Sequence, residues 1–443
     1  MRPRSTDRAI GSFMLATALL IAAGPATARA QNYGTAPTIA TSAAAGATSA
    51  PAGGATTAAQ ATPEAKPTFE IYGFAMLDIG QDHGARMNPN WSDTLRLTKL
   101  PSFDKQYGEE GNTFAGVRQS RFGVKSSTPT PYEGVTLKTV FEFELFGTGA
   151  DEGQTTFRLR HAYGELGHFL AGQTWSPFMD PDVFPNTVEY WGPTGMVLFR
   201  NVQFRYTAID NGRHQVMFAL ERPGASGDQG IYNDRVELDG ISSRTPSPDI
   251  SGAYKYSGGW GHARVAGMFR KIAWDDVLDD GLDLSGDAVG WGVNLSSIWK
   301  LGSASTIRLQ YVFGEGIQNY MNDSPIDIGI VDRQQNLTRP FEGEPIPITG
   351  LVAYIDHSWS EKFTSSFGYS SQYNDNTNGQ APDSFKDGHY VSGNLLYYPV
   401  PGVMVGGELQ WGRRVNFSDG FEADGVKAQF AFKYNFSWKL GGQ

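Results

Sequence analysis

GVTLKTVFEFELFG (134–147), TGADEG (148–153) and QTTFRLRHAYGELG (154–167) follow one another without a break. In the first arm Val135, Leu137, Thr139, Phe141, Phe143 and Leu145 share one face, and Thr136, Lys138, Val140, Glu142 and Glu144 share the other. In the second arm Phe157 and Leu159 oppose Arg158 and Arg160. Side chains alternate across a strand, so this period of two predicts a hairpin with one apolar and one charged face. A soluble sandwich would alternate too, with its apolar face inward. Length separates the two readings. A globular strand averages about five or six residues, whereas a tilted strand crossing a bilayer needs about nine to eleven. The arms here have the greater length, which turns the apolar face toward lipid and the charged face toward a lumen.

The same pattern extends along the chain. Strand-like segments fall at 69–79, 113–126, 134–147, 154–167, 168–175, 200–209, 213–222 and 249–257, then at 260–273, 286–300, 303–318, 348–360, 363–374, 386–398, 402–414 and 424–438. Tight turns alternate with long connections, among them 80–112, 176–199, 223–248, 274–285 and 319–347. Every proline from Pro89 to Pro401 lies in a proposed turn or loop, as expected of a residue that cannot donate to a sheet ladder. The predicted fold class is all-β: a transmembrane antiparallel up-and-down β-barrel of about sixteen strands, the number that leaves a channel rather than a packed interior. Trp260, Trp299, Trp359, Tyr397, Tyr398, Phe436 and Trp438 sit beside short turns or the last strand end and predict one interfacial girdle; Trp274, Tyr320, Tyr373 and Trp411 are candidates for the other.

Composition fits an exported barrel. Residues 1–30 read as a signal peptide: Arg2, Arg4 and Arg8, an apolar run over Ala9–Gly24, and Ala28-Arg29-Ala30 before Gln31. Residues 31–68 are rich in Ala, Thr, Gly and Pro and read as a flexible periplasmic lead. The barrel is expected over 69–443. Cysteine is absent, which removes thiol chemistry and thiolate metal sites. A net charge of −10 argues against nucleic acid as a partner. The mean hydropathy of −0.35 suits a barrel, in which only alternate residues meet lipid.

The stretch SPFMDPDVFPNTVEYWGPTGMVLF (176–199) is the principal functional candidate. It carries Asp180, Asp182, Glu189, Tyr190 and Trp191 and is otherwise mostly apolar. A solvated loop seldom holds so many large apolar groups, so it is expected to fold into the lumen as the constriction; an outer-surface or subunit-contact loop is the alternative. Opposite it, Gln119, Arg121 and Lys125 should point inward, with Arg158, Arg160, Arg205 and Lys138 on neighbouring strands. Guanidinium forks match carboxylates and would guide anions through a poorly solvated channel. Glu142 and Glu144 oppose this, since a hairpin centred near Ala150 sets Glu142 against Arg158; a charge-balanced, weakly selective lumen therefore stays open. The many acids in the 274–285 and 319–347 connections are read as solvated and remote from the pore.

No enzyme, cofactor or metal is read from the chain. The acidic run 275–287 lacks the spacing of a calcium loop, Gly147–Gly153 has no helix after it as a phosphate loop requires, and the histidines show no ligand spacing. A membrane lipase would need a nucleophile with its base; His161 and Ser176 are not singled out by spacing. A structural or adhesive barrel is the other rival.

GQTWSPFMD (172–180), PNTVEYWGPTG (185–195), RQSRFGVK (118–125) and FRLRHAYGEL (157–166) resemble the DcaP-like trimeric porins of Gram-negative outer membranes, over roughly 68–438. The first two stretches carry most of the specificity. The resemblance implies a sixteen-stranded homotrimer embedded among outer-membrane lipid and lipopolysaccharide, with an inward third loop and an arginine-rich pore for small carboxylated anions. By it Arg121, Arg158, Arg160 and Arg205 become pore residues. Two features depart from the family: 31–68 lacks a coiled-coil-like pattern, and the last residues, Phe436-Ser437-Trp438-Lys439-Leu440-Gly441-Gly442-Gln443, do not end on an aromatic.

Overall fold

The computed structural model describes residues 66–441; residues 1–30, expected to be a signal peptide, and nearly all of the expected lead over 31–68 fall outside the described residues. The chain forms β1 (Thr68–Gly84), β2 (Thr113–Gly116), β3 (Arg121–Pro129), β4 (Thr136–Phe146), β5 (Thr155–Leu166), β6 (Phe169–Trp175), β7 (Arg200–Asp210) and β8 (His214–Glu221). Next come β9 (Ile241–Arg244), β10 (Asp249–Gly258), β11 (Gly261–Asp276), β12 (Gly286–Leu301), β13 (Ser305–Glu315), β14 (Ile328–Asp332) and β15 (Phe341–Pro345). The last are β16 (Pro347–Ser358), β17 (Phe363–Asn374), β18 (Phe385–Tyr397), β19 (Val403–Asn416) and β20 (Glu422–Gly441). All but β14 and β15 join one antiparallel sheet, and β20 closes onto β1 from Thr68↔Gly441 to Gly84↔Gly425. Because β2 with β3, and β9 with β10, are each one interrupted wall strand, the barrel has sixteen.

The alternation predicted for the faces is realised. Phe141, Phe157, Val202, Phe204, Leu309 and Tyr311 are exposed on the outside, while Glu142 and Glu144 are buried within. Trp299, Trp359 and Trp438 are exposed near the short-turn rim, and Trp260 packs on Trp299 at 4.7 Å. Two aromatics assigned to the opposite girdle are elsewhere. Tyr320 is buried against Phe178 and Phe199, and Trp274 turns inward to donate to the Leu284 carbonyl at 2.9 Å. Both lie where long loops fold back over the lumen, so a ring near a strand end finds protein instead of headgroups.

Wall height is uneven. β1 and β20 run 17 and 20 residues, β11 and β12 run 16 each, but β6 has only 7 and β8 only 8. The low side is where the 176–199 loop leaves the wall.

The interior is filled from the long-loop rim. Phe178, Met179, Val183, Met196 and Val197 of the 176–199 loop pack against Val312, Val352 and Tyr354 of the wall. The 85–112 connection also folds inward, burying Trp91, Leu95, Leu97 and Leu100 against Phe146, Phe385 and Tyr390. From sequence alone that connection is expected only to be long. Asp323 and Asp327, read as remote loop acids, are buried and bind Arg96 at 2.9 Å and Arg270 at 2.9 Å. Loops drawn into the lumen cannot leave their charges in water, so the charges pair.

Candidate functional site

The 176–199 loop crosses the lumen and is stitched to the far wall strand by strand. Asn294 of β12 donates to the Phe178 carbonyl at 2.8 Å, and Arg264 of β11 to the Pro177 carbonyl. Asp180 accepts from His262 at 2.8 Å and from Ser296 at 2.6 Å; Asp182 accepts from Lys255 at 2.6 Å, and its carbonyl from Arg308. Further along, Glu408 accepts the Val188 and Glu189 amides at 2.6 and 3.2 Å, and Asn394 donates to the Asn186 carbonyl at 2.8 Å. Glu189 meets Lys427 at 3.4 Å. At the return, Gly195 takes φ +66°, and a Cβ there would lie 2.1 Å from the Ser371 carbonyl oxygen. Glycine is required because the loop backbone lies directly on the wall.

Burial alone would raise the Asp180 pKa, but the hydrogen bonds from His262 and Ser296 and the charge of Arg264 outweigh it and hold the carboxyl below the usual range. Asp180, Asp182 and His262 offer ligand atoms within 4.8 Å of one another. Each is already engaged within the protein, and Lys255 sits in the same cluster. The arrangement is a loop anchor.

Across from the loop stands a basic wall. In β4–β5 the ladder pairs Glu142 with His161, then Phe143 with Leu159, so Arg160 is an extra residue; a second irregularity lies between Glu144 and Phe146. A bulge of this kind re-aims side chains. Arg160 and His161, adjacent in sequence, are both buried inside the barrel. This corrects the expected register: Glu144, not Glu142, faces Arg158. Arg160 bonds Glu142 and Glu144 at 2.6 Å each. The other guanidiniums are held more loosely: Arg121 at 3.6 Å from Glu142 and 3.9 Å from Glu144, and Arg158 and Arg200 each at 3.5 Å from Glu144. Arg121 Nε, Arg158 Nη1 and Arg200 Nη1 are buried and make no hydrogen bond, the first two facing Glu142 and Glu144 beyond hydrogen-bond range.

Between wall and loop lies a cavity of about 320 Å³. It is lined by Arg121, Arg158, Arg160, Arg200 and Lys433 and by Trp175, Met179, Phe184, Tyr190 and Trp191, with Arg160 and Arg200 5.6 and 5.0 Å from the Trp175 ring centroid. Tyr190 stacks on Phe146 at 4.2 Å. Burial, and then the Glu144 charge, push its phenol pKa up. Trp191 stands between two cations, with Arg96 4.3 Å and Arg158 5.6 Å from its ring centroid.

The structure thus unites Arg121, Arg158 and Arg160 with Glu142, Tyr190 and Trp191, and sets Asp180, Asp182 and Glu189 at the loop's anchors. Arg205 and Lys138 lie apart, in a second cavity of about 790 Å³ at the short-turn end. Lys138 pairs there with Glu165 at 2.8 Å, whereas no carboxylate among the described residues lies within 4.0 Å of the Arg205 guanidinium. Arg200 and Lys433 were missed. Arg200 shares parity with the outward Val202 and Phe204, so alternation alone turns it to lipid, yet at the loop junction its side chain is buried 3.5 Å from Glu144; Lys433 lies on the face of β20 opposite the exposed Phe430, Phe432 and Tyr434. His161 bonds Thr174, and Ser176 bonds Glu221; the two are not paired with each other.

A closed sixteen-strand barrel with an apolar exterior, a charged interior and loops drawn inside is an outer-membrane β-barrel of the porin class. The chain belongs to the DcaP outer membrane protein family, whose model matches residues 103–436, and its place is the Gram-negative outer membrane. The crystal structure of the outer membrane channel DcaP of Acinetobacter baumannii shares the fold, with a TM-score of 0.70 at 19% identity over 84% of this chain and 98% of that one. An anion-selective porin from Comamonas acidovorans shares it more distantly, with a TM-score of 0.53 at 11% identity over 84% of this chain and 100% of that one. Porin Omp2b of Brucella suis is 26% identical over 245 residues, 49% of this chain; the match spans only 61% of that relative's length.

Proposed function

We propose that the protein is a passive diffusion channel for small hydrophilic anions, carboxylates in particular. The observation that carries this reading is the cluster of Arg121, Arg158, Arg160, Arg200 and Lys433 lining the cavity beneath the loop, in which Arg121, Arg158 and Arg200 stand 3.5 Å or more from their carboxylates. Four arginines and Lys433 there face three carboxylates: Glu142 and Glu144 beside the arginines, and Glu189, which also lines the cavity and pairs with Lys427 at 3.4 Å. Charge at the narrowest point governs permeation, because exposed charges farther than a Debye length of about 8–10 Å are screened. A planar carboxylate is the acceptor that a guanidinium fork matches. The aromatic side chains of the cavity accommodate the solute's apolar part, and no bond in the solute is made or broken. Arg205 and Lys138 then meet the solute at the short-turn end.

A homotrimer in outer-membrane lipid and lipopolysaccharide is the assembly we propose. Its support is the low wall: β6, with 7 residues, is shorter than the nine to eleven or so that a tilted strand needs to cross hydrocarbon. A neighbouring copy over this side would shield it.

The test is the reversal potential of single channels under a salt gradient, for wild type and for Arg158→Ala combined with Arg200→Ala. Anion preference that falls in the double variant is expected. Cation preference in the wild type would mean that Glu142 and Glu144 dominate. A barrel that folds and inserts but never conducts would favour the structural or adhesive reading.

A further inference from the structure

A third cavity, of about 530 Å³, lies under the long-loop rim and shares no lining residue with the cavity beneath the 176–199 loop. Its size is that of a small-molecule site. The 223–229 stretch, β9, the end of β11 and the β14–β15 hairpin enclose it. Leu238, Ile272, Leu284, Ile328, Ile330 and Phe341 are buried around it, and Trp274 lines it with its ring against Gly343, where a Cβ would come within 2.8 Å. These walls offer a flat apolar bed.

Its charges differ from those of the pore. The three cations that line it are all paired: Arg270 with Asp249 at 3.2 Å and Asp327 at 2.9 Å, Lys271 with Asp287 at 3.1 Å, and Arg244 with Asp275 at 2.8 Å. One guanidinium therefore serves two carboxylates at the floor. Among the described residues, the Asp228 carboxylate, also lining, accepts only from the Gly230 amide and the Gln380 side chain. An anion would bring its charge to a site with no free cation and an excess of acid.

The wall beside this cavity is interrupted. β9 pairs with β11 at Arg244↔Ala273, and β10 resumes at Ile250↔Phe269. The stretch between, with Pro246 and Pro248, makes no ladder pair with Arg270–Ile272. Cavity-lining residues come from both faces of β11 here: Arg270 and Ile272 are buried within, and Lys271 is exposed without.

We propose that this cavity binds a hydrocarbon group bearing no negative charge, an aromatic ring or an acyl chain, on Trp274 and the isoleucines of β11 and the hairpin. Two sources share that chemistry: an apolar solute arriving through the loops, and an acyl chain of a membrane lipid arriving through the strand interruption.

The experiment uses the full barrel in lipid nanodiscs, where no detergent competes. In the first arm, ligand-observed NMR titrates 1-naphthol and 1-naphthoate. Saturable 1-naphthol binding is expected, at least tenfold tighter than that of 1-naphthoate, and lost in Ile330→Trp, which fills the cavity. Ser243→Trp fills it from the strand edge and guards against a folding failure in the first variant; heat-modifiable gel mobility certifies both barrels. In the second arm, nanodiscs carry a phospholipid with a terminal acyl diazirine, and cross-links are mapped by mass spectrometry. Cross-links on the inward Ile272 that fall severalfold in both filled variants identify a lipid source. Success in either arm supports the site and names its source. The proposal is overturned if both arms are unchanged by filling the cavity, or if 1-naphthoate binds as tightly as 1-naphthol.

Discussion

The two walls that face each other across the lumen are built from the same residue types and use them differently. On β10–β13 and β16–β20, charged side chains hold the 176–199 loop: Arg264 and Arg308 bond its carbonyls, Lys255 and His262 its carboxylates, Glu408 its amides. On β3–β7, the guanidiniums of Arg121, Arg158 and Arg200 stand 3.5 Å or more from their carboxylates and make no hydrogen bond to the loop. One wall holds the loop and the other faces what passes. An arginine in a pore is therefore not identified by its type or by pointing inward. What identifies it is whether the protein has already satisfied it. A buried, fully hydrogen-bonded ion pair is fixed structure, and an incompletely bonded one retains affinity for a ligand.

The largest effect that would break this comparison is loss of the loop. Deleting Val183–Thr194 should raise single-channel conductance severalfold while the barrel still assembles. An unchanged conductance would move the restriction to the 85–112 and 316–346 connections. Next comes the anchoring wall itself. Glu408→Ala leaves the buried Val188 and Glu189 amides without acceptors, at a cost of about 1–3 kcal/mol each; the expected readouts are a lower unfolding midpoint in denaturant and noisier open-channel current. Two arginines then sharpen the contrast. Arg308→Ala, on the anchoring wall, should lower stability and leave ion preference near wild type. Arg158→Ala, on the basic wall, should do the reverse, removing an attraction of about 1–4 kcal/mol for an anion at 4 Å. If both variants shift the reversal potential equally, the division of labour is wrong. The smallest effect is expected at Arg413→Ala, whose pair with Glu422 is exposed at the rim. Its loss should cost about 0–1 kcal/mol and leave selectivity unchanged.

Strand number, the inside and outside of regularly alternating strands such as β4 and β13, and the inward path of 176–199 were legible in the chain, because each rests on local rules. Alternation reports which face meets lipid, proline reports where ladders stop, and a surplus of Phe, Met, Trp and Val in a loop reports that water is not its solvent. Arg121 and Arg158 could be placed in the lumen on that basis. What tertiary structure alone decided begins where periodicity breaks or where partners are far apart in sequence. The bulge at Arg160 admits two consecutive side chains to the interior and shifts Arg158 onto Glu144, and a strict period of two has no means of showing it. The proline-marked gap between β9 and β10 divides one strand that reads from sequence as a loop and a separate strand. The separation of Arg205 from Arg158, and the burial of Asp323 against Arg96 and of Asp327 against Arg270, depend on barrel tilt and on loops closing from opposite sides of the rim. Local sequence sets which way a residue points; only closure of the barrel sets whom it meets, because the partners that satisfy or leave open a buried charge come from strands tens or hundreds of residues away.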